Sequence, residues 1–128
     1  MKSLDISYCP NITEKGVSHY LEYRPELQKF WAAGNSESIT DFSLRHLKDA
    51  CWLQSLNIEF CTKVTDQTFE ALASTDPICP LKELYIAGCT GITSNALAML
   101  IPKTGYNLEI ADVSNMTQVK FSEQVIIL

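Results

Sequence analysis

The stretch from Leu81 to Thr93, LKELYIAGCTGIT, returns along the chain at a nearly constant interval. Leu53 to Thr65 is LQSLNIEFCTKVT, Met1 to Thr13 is MKSLDISYCPNIT, and Leu27 to Thr40 is LQKFWAAGNSESIT with one extra residue in its turn. Gly105 to Thr117, GYNLEIADVSNMT, is a worn fifth copy. The shared pattern is apolar-x-x-apolar-x-apolar-x-x-Cys, followed shortly by Ile, Val or Met and then Thr. Cys9, Asn35, Cys61, Cys89 and Val113 take the same place in the unit, at intervals of 26, 26, 28 and 24. A fixed period in this range marks a stack of similar supersecondary units, because one such unit cannot bury its apolar face alone.

Within each unit the alternating apolar pair reads as a short strand turned toward a core: Leu4 and Ile6, Phe30 and Ala32, Leu56 and Ile58, Leu84 and Ile86, Leu108 and Ile110. Met1, Leu27, Leu53 and Leu81 lead the chain into these strands, and Gly105 holds that place in the last unit. At the Cys position the chain turns away and leaves backbone polar groups inside. A buried amide or thiol can satisfy them, so Asn35 can replace Cys there.

The following Thr is a candidate helix N-cap at Thr13, Thr40, Thr65, Thr93 and Thr117. Glu14, Asp41 and Asp66 come directly after, where the helix dipole favours an acid. Apolar residues at helical spacing continue each unit: Val17 and Leu21, Leu44 and Leu47, Phe69 and Leu72, Leu97 and Leu100, Phe121 and Val125. Pro25, Pro77, Pro80 and Pro102 are expected to lie beyond the helices. Stacking strand, helix and return predicts an α/β fold, a right-handed βα superhelix of about five repeats over a parallel sheet, in a single domain spanning residues 1–128.

The segments DISYCPNITEKGV, NIEFCTKVTDQTF and YIAGCTGITSNAL resemble the cysteine-containing leucine-rich repeat. That subclass is found in F-box and leucine-rich-repeat proteins, the substrate receptors of ubiquitin ligases. It is found also in subunits of the ciliary dynein regulatory complex and in mitochondrial assembly factors. The resemblance covers essentially the whole chain, and its motif is specific for fold rather than for role. It implies a solenoid with a concave sheet, no cofactor, and protein-protein interaction. Two roles follow as expectations: the substrate-recognition repeats of an F-box-type receptor, or a scaffolding subunit of an axonemal or mitochondrial assembly. In that family the F-box is a separate helical segment ahead of the repeats, so adaptor binding is not expected of the repeats themselves. Neither end has a polar capping unit, and each is expected to be covered by further sequence or by a neighbouring chain.

On the resemblance, the concave face is where a partner binds. Its central column is expected to be Asp5, Trp31, Asn57, Tyr85 and Glu109. Ser3, Lys29, Ser55, Glu83 and Asn107 precede it; Ser7, Ala33, Glu59, Ala87 and Ala111 follow it. Trp31 and Tyr85 are large aromatics on a wet face, the residue types that most often carry interface energy. The binding set is therefore Asp5, Trp31, Asn57, Glu59, Tyr85 and Glu109, with Cys9, Asn35, Cys61 and Cys89 as a structural column. Tyr8 and Phe60 lie at the rim and are expected to pack over the turn. His19 and His46 occupy equivalent places on adjacent helices and are expected to be solvated neighbours.

A net charge of −5 argues against nucleic acid and against an anionic membrane surface. No apolar run approaches bilayer length, and MKSLDISYCP has no signal-peptide core. The five cysteines form no Cys-x-x-Cys pair, so reduced thiols without metal are expected, three in the repeat column, Cys51 on a helix and Cys79 in a loop. The compartment this implies is the cytoplasm, with nucleus, cilium and mitochondrion as the alternatives. No phosphate loop, serine elbow or placed nucleophile-base pair is present, and the chain is expected not to be an enzyme.

Overall fold

The computed structural model describes residues 2–75, 80–104, 107–114 and 125–127. Strands β1 (Ser3–Asp5), β2 (Lys29–Trp31), β3 (Ser55–Asn57), β4 (Glu83–Tyr85) and β5 (Ile110–Asp112) lie side by side in chain order and all pair in parallel. A sixth, β6 (Val125–Ile127), pairs antiparallel with β5. The helices α1 (Glu14–Glu22), α2 (Asp66–Ala73) and α3 (Ser94–Thr104) connect the strands. The result is an α/β arrangement consistent with repeated βα units.

The core lies between sheet and helices. Phe30, Leu56, Leu84 and Ala111 meet in register from four strands, all fully buried. Val17, Leu21, Leu47, Phe69, Leu72, Leu97 and Leu100 close it from the helical side. Burying one such side chain is worth about 1.5–3 kcal/mol, so the stack is held by many similar contributions. Thr13 caps α1 by accepting from Gly16 N (3.0 Å), and Thr65 caps α2 by accepting from Gln67 N (3.2 Å).

Five expectations are corrected. After Thr40 the chain forms turns and then a 3₁₀ helix, Arg45–Asp49, instead of an α-helix. Leu44, Leu47 and Ala50 are three apart and all buried, which suits a three-residue period. The bonds Leu47 N to Leu44 O (2.9 Å) and Ala50 N to Leu47 O (3.0 Å) follow that period. Cys51 accordingly sits in an exposed turn, not on a helix. Pro102 lies inside the last turn of α3, where its missing N–H removes one helical bond and only two helical residues follow it.

The largest correction concerns the fifth unit. Leu84 pairs with Ala111, not with Leu108, and Tyr85 pairs with Asp112, not with Glu109. Leu108, Ala111 and Val113 are the buried residues here, and Ile110 is half-exposed on the open face. Val113 thus takes the place of Ile86, not of the Cys column. The slip is odd, so every side chain in the strand changes face. The eleven-residue α3 needs the longer return. Val125 stands on a strand, not a fifth helix; Val-Ile-Ile is β-branched throughout and pairs with the outer edge of β5. Met1, Cys79, Gly105, Thr117 and Phe121 lie outside the described residues.

Candidate functional site

The sheet's open face is built by the residues that alternate with the core. The pairing places Asp5, Trp31, Asn57, Tyr85 and Asp112 in one row across five strands. Four of the expected members are there. Glu109 is not: it sits one residue before β5, exposed, with its N–H donated to Lys82 O at 2.8 Å. Asp112 takes its place beside Tyr85. The missed signal was the interval from Leu81 to Leu108, which falls among those separating Met1, Leu27, Leu53 and Leu81.

Trp31 and Tyr85 stand two strands apart and meet over β3, ring centroids 5.9 Å apart at 76°. The Trp31 indole N–H donates to Ser55 Oγ at 2.8 Å, and Lys29 Nζ lies 3.7 Å from the centre of the Trp31 ring. Edge-to-face geometry matches a positive ring edge to a negative ring face, and an ammonium is drawn to the same negative face. The Tyr85 hydroxyl donates to Glu83 Oε2 at 3.3 Å. Beside the pair is an open cavity of about 320 Å³, bounded in part by Gln28, Trp31, Gln54, Lys82, Glu83 and Glu109.

Acids surround the aromatics. Burial, and then the neighbouring Asp112 charge, raise the Glu59 carboxyl above its usual range. Burial also raises the Tyr85 hydroxyl, followed by the charge and hydrogen bond of Glu83 and the charges of Asp112 and Glu59. Asp5 is lowered instead, chiefly because the Ser7 N–H bonds its carboxylate, with the Ser7 hydroxyl and Lys29 assisting.

The units alternate in kind. Asp5, Asn57 and Asp112 each accept, through a side-chain oxygen, from the N–H two residues on, at 3.0, 3.1 and 3.0 Å. The units between them carry Trp31 and Tyr85 instead. At the rim, Tyr8 and Phe60 hold a left-handed backbone (φ 56° and 60°), and so do Gly34 and Gly88 (75° and 71°) in the intervening units. A Cβ on Gly34 would stand 2.2 Å from Tyr8, and one on Gly88 would stand 2.3 Å from Phe60. Each aromatic therefore lies over the glycine of the following unit, as expected for packing over the turn. The two-unit alternation was missed, although it is written in the sequence at residues 8, 34, 60 and 88.

The inward column performs one repeated act. Asn35 donates to Ile6 O at 2.8 Å, Cys61 Sγ to Ala32 O at 3.5 Å and Cys89 Sγ to Ile58 O at 2.9 Å, each reaching the preceding unit. Asn35 Oδ1 also accepts from Cys9 N at 3.0 Å. Burial pushes the Cys61 thiol up to about 11 and the Cys89 thiol to about 12. Such thiols stay protonated near neutral pH and are poor nucleophiles. Among the described residues no group of three His, Cys, Asp or Glu is placed to hold a metal, and no helix is long and apolar enough to cross a membrane. His19 lies edge-on to Tyr23 at 4.9 Å, while His46 is half-buried in the 3₁₀ helix, its Nε2 without a partner among the described residues. No protein-family model matches the sequence.

Proposed function

We propose that this chain is a leucine-rich-repeat domain of the cysteine-containing kind, a right-handed βα solenoid, and that it binds another protein, without catalysis, through its concave sheet. The observation that carries the reading is the Trp31–Tyr85 pair. Two large aromatics are held together on an open face, with the indole anchored to Ser55. Rigid aromatics lose little side-chain entropy on binding and offer a large contact area. Buried, protonated thiols in the repeat column support a structural use of the cysteines.

The CxxIT motif suggests the substrate-recognition repeats of an F-box-type receptor. A fixed place in a larger assembly, ciliary or mitochondrial, is the second reading. It is favoured by the half-exposed apolar residues Leu4, Ile6, Ile12 and Tyr20 at the first unit, which suit a chain that rests against a neighbour. Affinity capture from cell extract, with the chain and its Trp31→Ala and Tyr85→Ala variants as baits, tests the binding surface. Trp31→Ala should weaken capture by about 2 kcal/mol, roughly 30-fold, with the far-UV spectrum unchanged. An unaltered set of captured proteins with both variants refutes it. A Skp-type adaptor among them supports the receptor role; co-fractionation with an axonemal or mitochondrial complex supports the second.

A further inference from the structure

The junctions among the first four units are closed by the same three contacts. The parallel strands bond edge to edge: Ile6 N to Trp31 O at 2.8 Å and Tyr8 N to Ala33 O at 2.7 Å, then Ala32 N to Asn57 O and Gly34 N to Glu59 O, both at 2.7 Å. The amide or thiol of the later unit reaches a carbonyl of the earlier one, as at Cys61 and Ala32. Finally, the acid just after one unit's Thr accepts from the next unit's Thr. Glu14 accepts from the Thr40 hydroxyl; Asp41 accepts from Thr65 N (3.0 Å) and Oγ1 (2.6 Å); Asp66 accepts from Thr93 N (2.7 Å) and Oγ1.

The first unit carries the later unit's half of all three contacts and uses none of them. The carbonyls of Asp5 and Ser7, counterparts of those of Trp31 and Ala33, lie along the outer edge of β1. Cys9 Sγ reaches only Ser7 O within its own unit, at 3.6 Å. Among the described residues nothing accepts from the Thr13 N–H or hydroxyl. Beside these groups is an apolar groove of about 190 Å³ lined by Leu4, Ile6, Ile12, Val17, Tyr20 and Phe30.

We infer that the β1–α1 face is a docking surface for one further βα unit, and that the unit it fits has the build of residues 28–53. Tyr8, Cys9 and Thr13 match Phe60, Cys61 and Thr65, and the unit before those three holds Gly34, Ala32 and Asp41. The partner unit presents an edge strand, a carbonyl for Cys9 and a carboxylate for Thr13. A smooth apolar surface would bury the Thr13 and strand-edge groups without partners, which disfavours it. The inference uses the unit-to-unit contacts of the stack and is independent of the concave face as a binding surface.

The test duplicates residues 28–53 directly ahead of Lys2 in the full chain, so that the new junction Leu53-Lys2-Ser3-Leu4 imitates Leu53-Gln54-Ser55-Leu56. The extended protein should remain monomeric and melt at a higher temperature. Alkylation of Cys9, followed by peptide mass spectrometry, should slow at least tenfold against the parent, while that of Cys51 is unchanged. Asp41→Ala in the inserted copy should lose most of the gain in melting temperature. Cys9 alkylating as fast as in the parent overturns the inference, as does an extended chain that fails to fold. A parent chain found to be a dimer with Cys9 already protected assigns the face to a second copy and overturns it too. Capture by Trp31 is not read in this experiment, so the two proposals fail separately.

Discussion

The carboxylate of Asp41 accepts three hydrogen bonds from the following unit: from Thr65 N at 3.0 Å, Thr65 Oγ1 at 2.6 Å and Thr68 Oγ1 at 2.5 Å. Asp66 repeats two of these contacts on Thr93. The acid that follows one unit's Thr therefore holds the Thr of the next, and Asp66 in addition lies in the first turn of its own helix, where the dipole favours it. Hydrogen bonds to a charged group are worth about 1.5–3 kcal/mol before the cost of ordering is set against them. Asp66→Ala should cost about 1–2 kcal/mol and Asp41→Ala more, because it strands three donors. Urea denaturation of the two variants measures the difference, and equal losses would show that the Thr68 contact contributes nothing.

Leu56 and Leu84 are fully buried at the middle of the sheet. Leu56→Ala and Leu84→Ala should each cost about 2–5 kcal/mol. Ile110 looks like a core residue in the sequence but lies half-exposed on the open face, so Ile110→Ala should cost under about 1 kcal/mol. Val113→Ala should cost more than Ile110→Ala, since Val113 is fully buried. The reverse order in denaturant melts would restore the register that pairs Leu84 with Leu108.

Gly88 carries a left-handed backbone under the Phe60 ring. Gly88→Ala meets two penalties, about 1 kcal/mol for the left-handed conformation and a further cost for displacing the ring. In a Phe60→Ala background only the first should remain. A double-mutant cycle should therefore show coupling of about 1 kcal/mol or more, and strict additivity would disprove the contact.

The buried thiols make stability depend on alkaline pH. An unfolded thiol ionises near its ordinary value of 9.0, whereas folded Cys61 is held at about 11 and Cys89 at about 12. Above pH 9 the unfolded chain gives up protons that the folded chain keeps. The stabilisation from the buried neutral thiols is complete below that pH and is lost as pH rises through 11 and 12. Chemical denaturation from pH 8 to pH 10.5 should show a falling midpoint. Cys89→Ala should start lower and fall less steeply, and an identical slope in the variant would rule this origin out.

The sequence by itself determined the unit, and its period and inward column over the first four copies. Those follow from local patterns: alternate apolar residues for a strand, Thr with a following acid for a helix start, and a small hydrogen-bonding residue wherever the chain leaves the sheet. Trp31 and Tyr85 on the open face were legible for the same reason, since a strand alternates its faces by geometry alone. Tertiary structure decided what depends on length and on neighbours. Thr40 is followed by a 3₁₀ helix: the extra residue in the turn before it brings Leu53 13 positions after Thr40, where Leu27 comes 14 after Thr13, and the buried Leu44, Leu47 and Ala50 lie three apart. Asp112 replaced Glu109 beside Tyr85 because α3 needed a longer return, and an odd shift turns a strand over. The meeting of two rings across a whole intervening strand is a contact between distant parts of the chain, and only packing could bring it about.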